Sequence, residues 1–217
     1  IFTLFFGYFI KDVRLDASPV RLMVPGTPDL DFYYQTKKMF GSDNVTIVYV
    51  KDKNLFTYDK LKKVEDLVYR LQDIKGVTKV ESLFSSKNFK SESGELKINP
   101  FFDPVPKDSA LLETLRTDAM NNPVLNGILI SADGKGLALN VIADGDAKDE
   151  KFDVRIANAV DEAMKPLNGE FEELWQIGSP MTRRMISNSL IDDQLVLVPV
   201  ALVILVGMIL ICLNSFH

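Results

Sequence analysis

Residues 195–213 read LVLVPVALVILVGMILICL, a run of 19 with no charge, 14 of them Leu, Ile or Val. As a helix rising 1.5 Å per residue the run is about 29 Å long, close to the roughly 30 Å hydrocarbon core of a bilayer. At about −0.3 to −0.6 kcal/mol for each Leu, Ile or Val, insertion is favoured by several kcal/mol. Pro199 and Gly207 weaken a helix in water but are tolerated in membrane spans. A core helix of a soluble domain keeps a polar stripe, and this run has none. It is read as a membrane span, and the rest of the chain is organised around it.

Upstream lies PMTRRMISNSLIDDQ, residues 180–194, which is polar and compatible with a helix. It runs into the span without a break, so 180–217 is expected to hold one long helix with Arg183, Arg184, Asp192 and Asp193 on its polar part. Residues 171–177 read as a strand, and 149–167 as a helix with Phe152, Ile156, Val160, Ala163 and Leu167 on one face. Residues 127–131 and 136–142 flank Asp133-Gly134, a hairpin signal. Residues 109–121 predict a helix that stops at Asn122-Pro123.

The first half has a similar order. VTIVYV at 45–50 is β-branched and aromatic, which predicts a strand covered on both faces. Leu61, Val64, Val68 and Leu71 give 58–71 one apolar helical face. Residues 77–83 alternate as a strand, completing a βαβ unit. Residues 85–93 are rich in Ser and Lys, an excursion or hairpin around Ser93-Gly94. A short helix is expected near 28–40, with Thr27 capping it, Pro28 at its first position, Lys37 and Lys38 in its last turn and Gly41 closing it.

The fold class read from these patterns is α+β: two βαβ-type (ferredoxin-like) subdomains, 45–106 and 107–179, followed by a long transmembrane α-helix within 180–217. Residues 11–44 form a linker and the short helix. Residues 1–10, IFTLFFGYFI, are apolar but too few to cross a bilayer. They lack the flanks of a signal peptide and are read as the end of a first membrane helix.

The 217 residues carry a net charge of −5 and no basic block, which speaks against a nucleic-acid partner. Cys212 is the single cysteine and His217 the single histidine. No disulfide framework or Cys/His zinc spacing exists, and the sequence holds no nucleophile, phosphate-loop or dinucleotide motif. The chain is therefore read as no enzyme, with no cofactor or metal. Asp192-Asp193 reads as a solvated helix start at the membrane surface. Asp144-Gly-Asp146 lacks the other oxygens of a calcium loop. Asn44-Val45-Thr46 matches a glycosylation acceptor only for a secretory route. Phe101, Phe102, Trp175 and the Tyr33-Tyr34 pair read as core or interface aromatics, and Phe101, Phe102 and Trp175 are the candidates for a greasy substrate path.

The order of parts carries a resemblance. LDASPVRLMVPGTPDLDFYYQTKKMFGSD leads into NLFTYDKLKKVEDLVYRLQDIKGVTKVESLFS, then NPFFDPVP, then DAMNNPVLNGILISADGKGLALNV, and the chain closes with IGSPMTRRMISNSLIDDQLVLVPVALVILVGMILICL. This resembles the region from the end of the first to the second transmembrane helix of an RND-superfamily exporter of the MMPL-like branch. The resemblance implies a multi-pass protein of the bacterial inner membrane, with residues of about 11–190 in the periplasm as porter domain. It implies proton-driven export of lipids or other hydrophobic compounds. Its implied partners are the bilayer, the remaining transmembrane helices, the second periplasmic loop and a hydrophobic small molecule or lipid, with homo-oligomers open. The family's proton relay lies in other helices, so no relay residue is assigned. The alternative is an extracytoplasmic ligand-binding or sensor domain between two membrane helices.

Overall fold

The computed structural model describes residues 23–92, 95–102, 104–145, 149 and 151–214. The expected first membrane helix at 1–10, most of the linker after it, the Ser93-Gly94 turn, Asp146 and His217 lie outside the described residues. Asp31–Thr182 forms one compact unit, and Arg183 onward belongs to a second.

Helix α1 spans Pro28–Phe40, with Lys37 and Lys38 in its last turn. Gly41 closes it at φ 92°, its N–H donating to the Lys37 carbonyl at 2.9 Å. Only glycine adopts this conformation without strain, and the bond satisfies a terminal carbonyl. Thr27 does not cap the helix as expected: its hydroxyl donates backwards to the Val24 carbonyl at 2.9 Å.

Strand β1 is Val45–Lys51 and helix α2 is Tyr58–Gln72. Strand β2 is Val77–Glu81, and β3, Lys87–Glu92, pairs with β4, Glu95–Pro100, as a hairpin. Helix α3 is Ser109–Asn121, capped by Asp108, whose carboxylate accepts from the Ala110 N–H at 2.9 Å. Strand β5 is Gly136–Ala143, helix α4 is Phe152–Met164 with a 3-10 turn at Lys165–Leu167, and β6 is Glu173–Gly178. Helix α5, Ser179–Asn214, starts at the residue after β6.

The α+β class holds, but the two expected subdomains do not each close a sheet of their own. One four-stranded sheet has the order β2-β5-β1-β6. Strand β1 is antiparallel to β5 and to β6, and β2 is antiparallel to β5. Strands β1 and β2 are therefore parallel with β5 between them, and β5 and β6 are parallel with β1 between them. This is the split βαβ arrangement of a single ferredoxin-like unit. The β3–β4 hairpin and α3 are inserted between β2 and β5. Each βαβ half leaves a gap at the centre of its pair, and the other half's strand supplies the missing backbone partners.

The expected strand at 127–131 is reduced to isolated bridges, Ile130 with Leu137 and Asn126 with Ile130. Strand β2 already occupies Asn140–Ala143 on that side of β5, so only the first residues of β5 remain to pair. Turn bonds from Asn126 and Leu125 to the Asn122 carbonyl hold the segment compact instead.

The core lies between the sheet and helices α2 and α4. Leu61, Val64, Leu67, Val68 and Leu71 of α2 meet Ile156 and Val160 of α4 over Val48, Val50, Leu139 and Val141. These positions recur at spacings of three and four on the helices and two on the strands, as the two geometries require.

Candidate functional site

VTIVYV does not have both faces covered. Thr46, Val48 and Val50 are buried beneath the helices, whereas Ile47 is exposed and Val45 and Tyr49 are half-buried. The alternation of a strand carries this to its neighbours. Across the ladder Ile47 faces Ile177 and Asn140, and Tyr49 faces Trp175 and Ala138. Trp175 and Ile177 are 43% and 51% exposed, large enough values to make this a solvent-facing apolar patch.

Tyr49 and Trp175 pack with ring centroids 4.9 Å apart at 41°. Gly136 lies directly beneath Tyr49: a Cβ there would stand 2.7 Å from the phenol oxygen. The absence of a side chain lets the ring lie flat on β5. At one end of the patch Lys51 Nζ meets Glu173 Oε1 at 2.7 Å, and the Trp175 indole N–H donates to Glu173 Oε2 at 3.4 Å. The bond from Lys51, with help from the indole, holds Glu173 below the usual carboxylate range. Glu173 in turn holds Lys51 above the usual ammonium range. At another edge Lys79 pairs with Glu81 at 2.7 Å. The rim charges are thus paired among themselves, and the interior of the patch offers aromatic and aliphatic surface.

The three aromatics singled out in the sequence do not share one surface. Phe101 and Phe102 are core residues, 2% and 7% exposed. Phe102 packs on Phe84 with centroids 5.0 Å apart, beside a groove of about 280 Å³ that Val68, Tyr69 and Pro104 also line. Of the three, Trp175 stands on the open face, and its pairing with Tyr49 is invisible in the sequence because the ladder, not the chain, makes them neighbours. A second groove of about 570 Å³ lies between the start of β3 and the end of α3, with Asn88, Asp118, Val124 and Leu125 in its lining.

Arg183, Arg184, Asp192 and Asp193 all lie on α5, the arginines half-buried and the aspartates exposed. No group of three or more His, Cys, Asp or Glu among the described residues could hold a metal ion. From Ser179 to Leu213 the helix is long and apolar enough to cross a membrane, and none of its most apolar window is buried. Pro199 sits inside it and leaves the Leu195 carbonyl without its helical donor.

No curated protein matches the chain. The family model of the MMPL family matches residues 31–217, which takes in the whole ferredoxin-like unit and the apolar helix. With the matched region covering most of its length, the chain belongs to the MMPL family, a family of membrane transporters.

Proposed function

We propose that the chain is a periplasmic porter region of a proton-driven, RND-type exporter of the inner membrane, moving lipids or other hydrophobic compounds. The observation that carries this reading is the junction of β6 and α5. A strand at the edge of the porter sheet becomes, with no intervening loop, a helix long and apolar enough to cross a bilayer. Movement of the span is then delivered to the sheet rather than absorbed by a linker. Arg183, Arg184, Asp192 and Asp193 ride on this coupling helix, with the aspartates marking the membrane surface. Because the halves of the sheet interleave, they do not rock against each other; the sheet moves as one body, carrying the Tyr49–Trp175 patch along the substrate path. Such rigid-body motion is a general mode of domain rearrangement.

A Gly-Gly insertion after Ser187 in the full-length transporter tests the reading. The extra residues break the stiffness of α5 at a point outside both sheet and span. Efflux of the hydrophobic dye N-phenyl-1-naphthylamine, measured with and without a protonophore, should fall to the protonophore-treated level. Unaltered proton-dependent efflux by the insertion variant would remove the lever from the mechanism.

A further inference from the structure

Strand β6 ends at Gly178, and Ser179 opens α5. Gly178 has φ +151°, a region that L side chains rarely adopt. It pairs with Thr46 on β1. A Cβ built on it would lie 2.2 Å from the Val45 carbonyl oxygen and 2.8 Å from Thr46 Cα. Among the described glycines it is the one whose missing side chain makes room for main chain. At Gly76, Gly134, Gly136 and Gly145 the nearest atoms are side chains, which can turn aside.

We infer that Gly178 is a positioning residue, the joint at which the end of β6, one residue before α5, is clasped directly by the backbone of β1. The inference deepens the coupling reading above, since it names the contact through which helix movement reaches the sheet. Backbone against backbone leaves no rotamer to yield. The clasp sits on β1, which pairs with strands on both sides, so a displacement entering at Gly178 reaches β5 as well as β6. A side chain at this position would push the Val45–Thr46 backbone away and separate the helix from the strand it drives.

The test is a double-mutant cycle read by amide hydrogen exchange on the whole chain in detergent micelles. Met185→Pro loosens the first turns of α5 by removing a helical bond and clashing with the preceding turn. With the joint intact, Met185→Pro should speed exchange at Val45, Thr46 and Ile47 by about tenfold, although it lies on another element. In a Gly178→Ala background the same substitution should add nothing further at these amides. In a Gly207→Ala background, where a Cβ meets nothing within 4 Å, the tenfold effect should persist.

If Met185→Pro leaves β1 exchange unchanged, or if its effect adds fully to that of Gly178→Ala, the joint is overturned. Should Gly178→Ala unfold the sheet, the Met185→Pro chain alone decides the matter through the same three amides. The efflux experiment fails separately: efflux that survives the Ser187 insertion while Met185→Pro still moves β1 removes the lever and leaves the joint.

Discussion

Thr46 and Gln176 are buried on the helix side of the sheet, 1% and 4% exposed. Gln176 Nε2 donates to the Ala157 carbonyl at 2.8 Å and to the Asp161 carboxylate, tying β6 to α4. Its Oε1, and the hydroxyl of Thr46, have no hydrogen-bond partner among the described residues. Each such group costs about 1–3 kcal/mol in lost hydration. Thr46→Val keeps the shape and the β-branch and removes the idle hydroxyl. It should raise stability by about 1 kcal/mol, seen as a higher urea midpoint when unfolding is followed by Trp175 fluorescence. A midpoint at or below that of the parent chain would show that the hydroxyl is satisfied in solution. None of this was legible in VTIVYV, where a threonine reads as one more β-branched strand residue. Whether its oxygen finds a partner depends on what the sheet and the helices above it place there, and the strand beside it, β5, lies far along the chain.

Between elements, the best-defined polar tie gathers three segments around Lys60 on α2. Its ammonium meets Asp52 Oδ2 at 2.8 Å, the Glu170 carbonyl, and the face of Phe171 at 4.9 Å from the ring centroid. Asp52 also accepts from the Asn54 N–H at 2.8 Å, shaping the turn out of β1. Burial pushes the Asp52 carboxyl upward, but the bonds from Lys60 and Asn54 outweigh it and hold the group below its ordinary value of 3.8. The folded state therefore binds this proton less readily than the unfolded chain. The tie stabilises the fold fully above the ordinary value, and its contribution is lost as pH falls toward and through the lowered folded value. Asp52→Asn should be less stable at pH 7 and show a shallower loss of stability on acidification below about pH 4, measured as urea midpoint against pH. Parallel pH profiles for the two chains would show that other carboxylates carry the acid response. At this scale the sequence is most transparent for helices. The bounds expected for α1 and α3 are those observed, because Pro28 at a first turn, Gly41 at a helix end and the Asn122-Pro123 stop are local signals. Strand partners are opaque for the complementary reason. Alternation tells which side chains share a face, and it does not say that β5 would enter between β1 and β2.

For the molecule as a whole, composition and the order of elements were enough to anticipate an α+β fold followed by a long apolar helix. The single interleaved sheet and the Tyr49–Trp175 surface needed the structure, because both arise from contacts between the halves. The edge strand β6 is joined to α5, its partner β1 lies inside the sheet, and β1 in turn holds β5. The arrangement matters only if α5 truly crosses a bilayer, and this is open to a direct energetic test. Ile204 lies near the middle of the apolar run, so an arginine there meets the full cost of the bilayer centre, about 3 kcal/mol on the insertion scale. The run of Leu, Ile and Val supplies several kcal/mol, so one arginine should lower the inserted fraction and Ile204→Arg with Leu205→Arg should nearly abolish it. The expected result is a chain that resists alkaline carbonate extraction from membranes when unaltered, partly yields with one substitution, and is released with two. Trp175→Arg adds the same charge to the open face of the sheet and should leave extraction unchanged. If the double variant stayed in the membrane as firmly as the parent, attachment would have to come from a part of the chain other than α5.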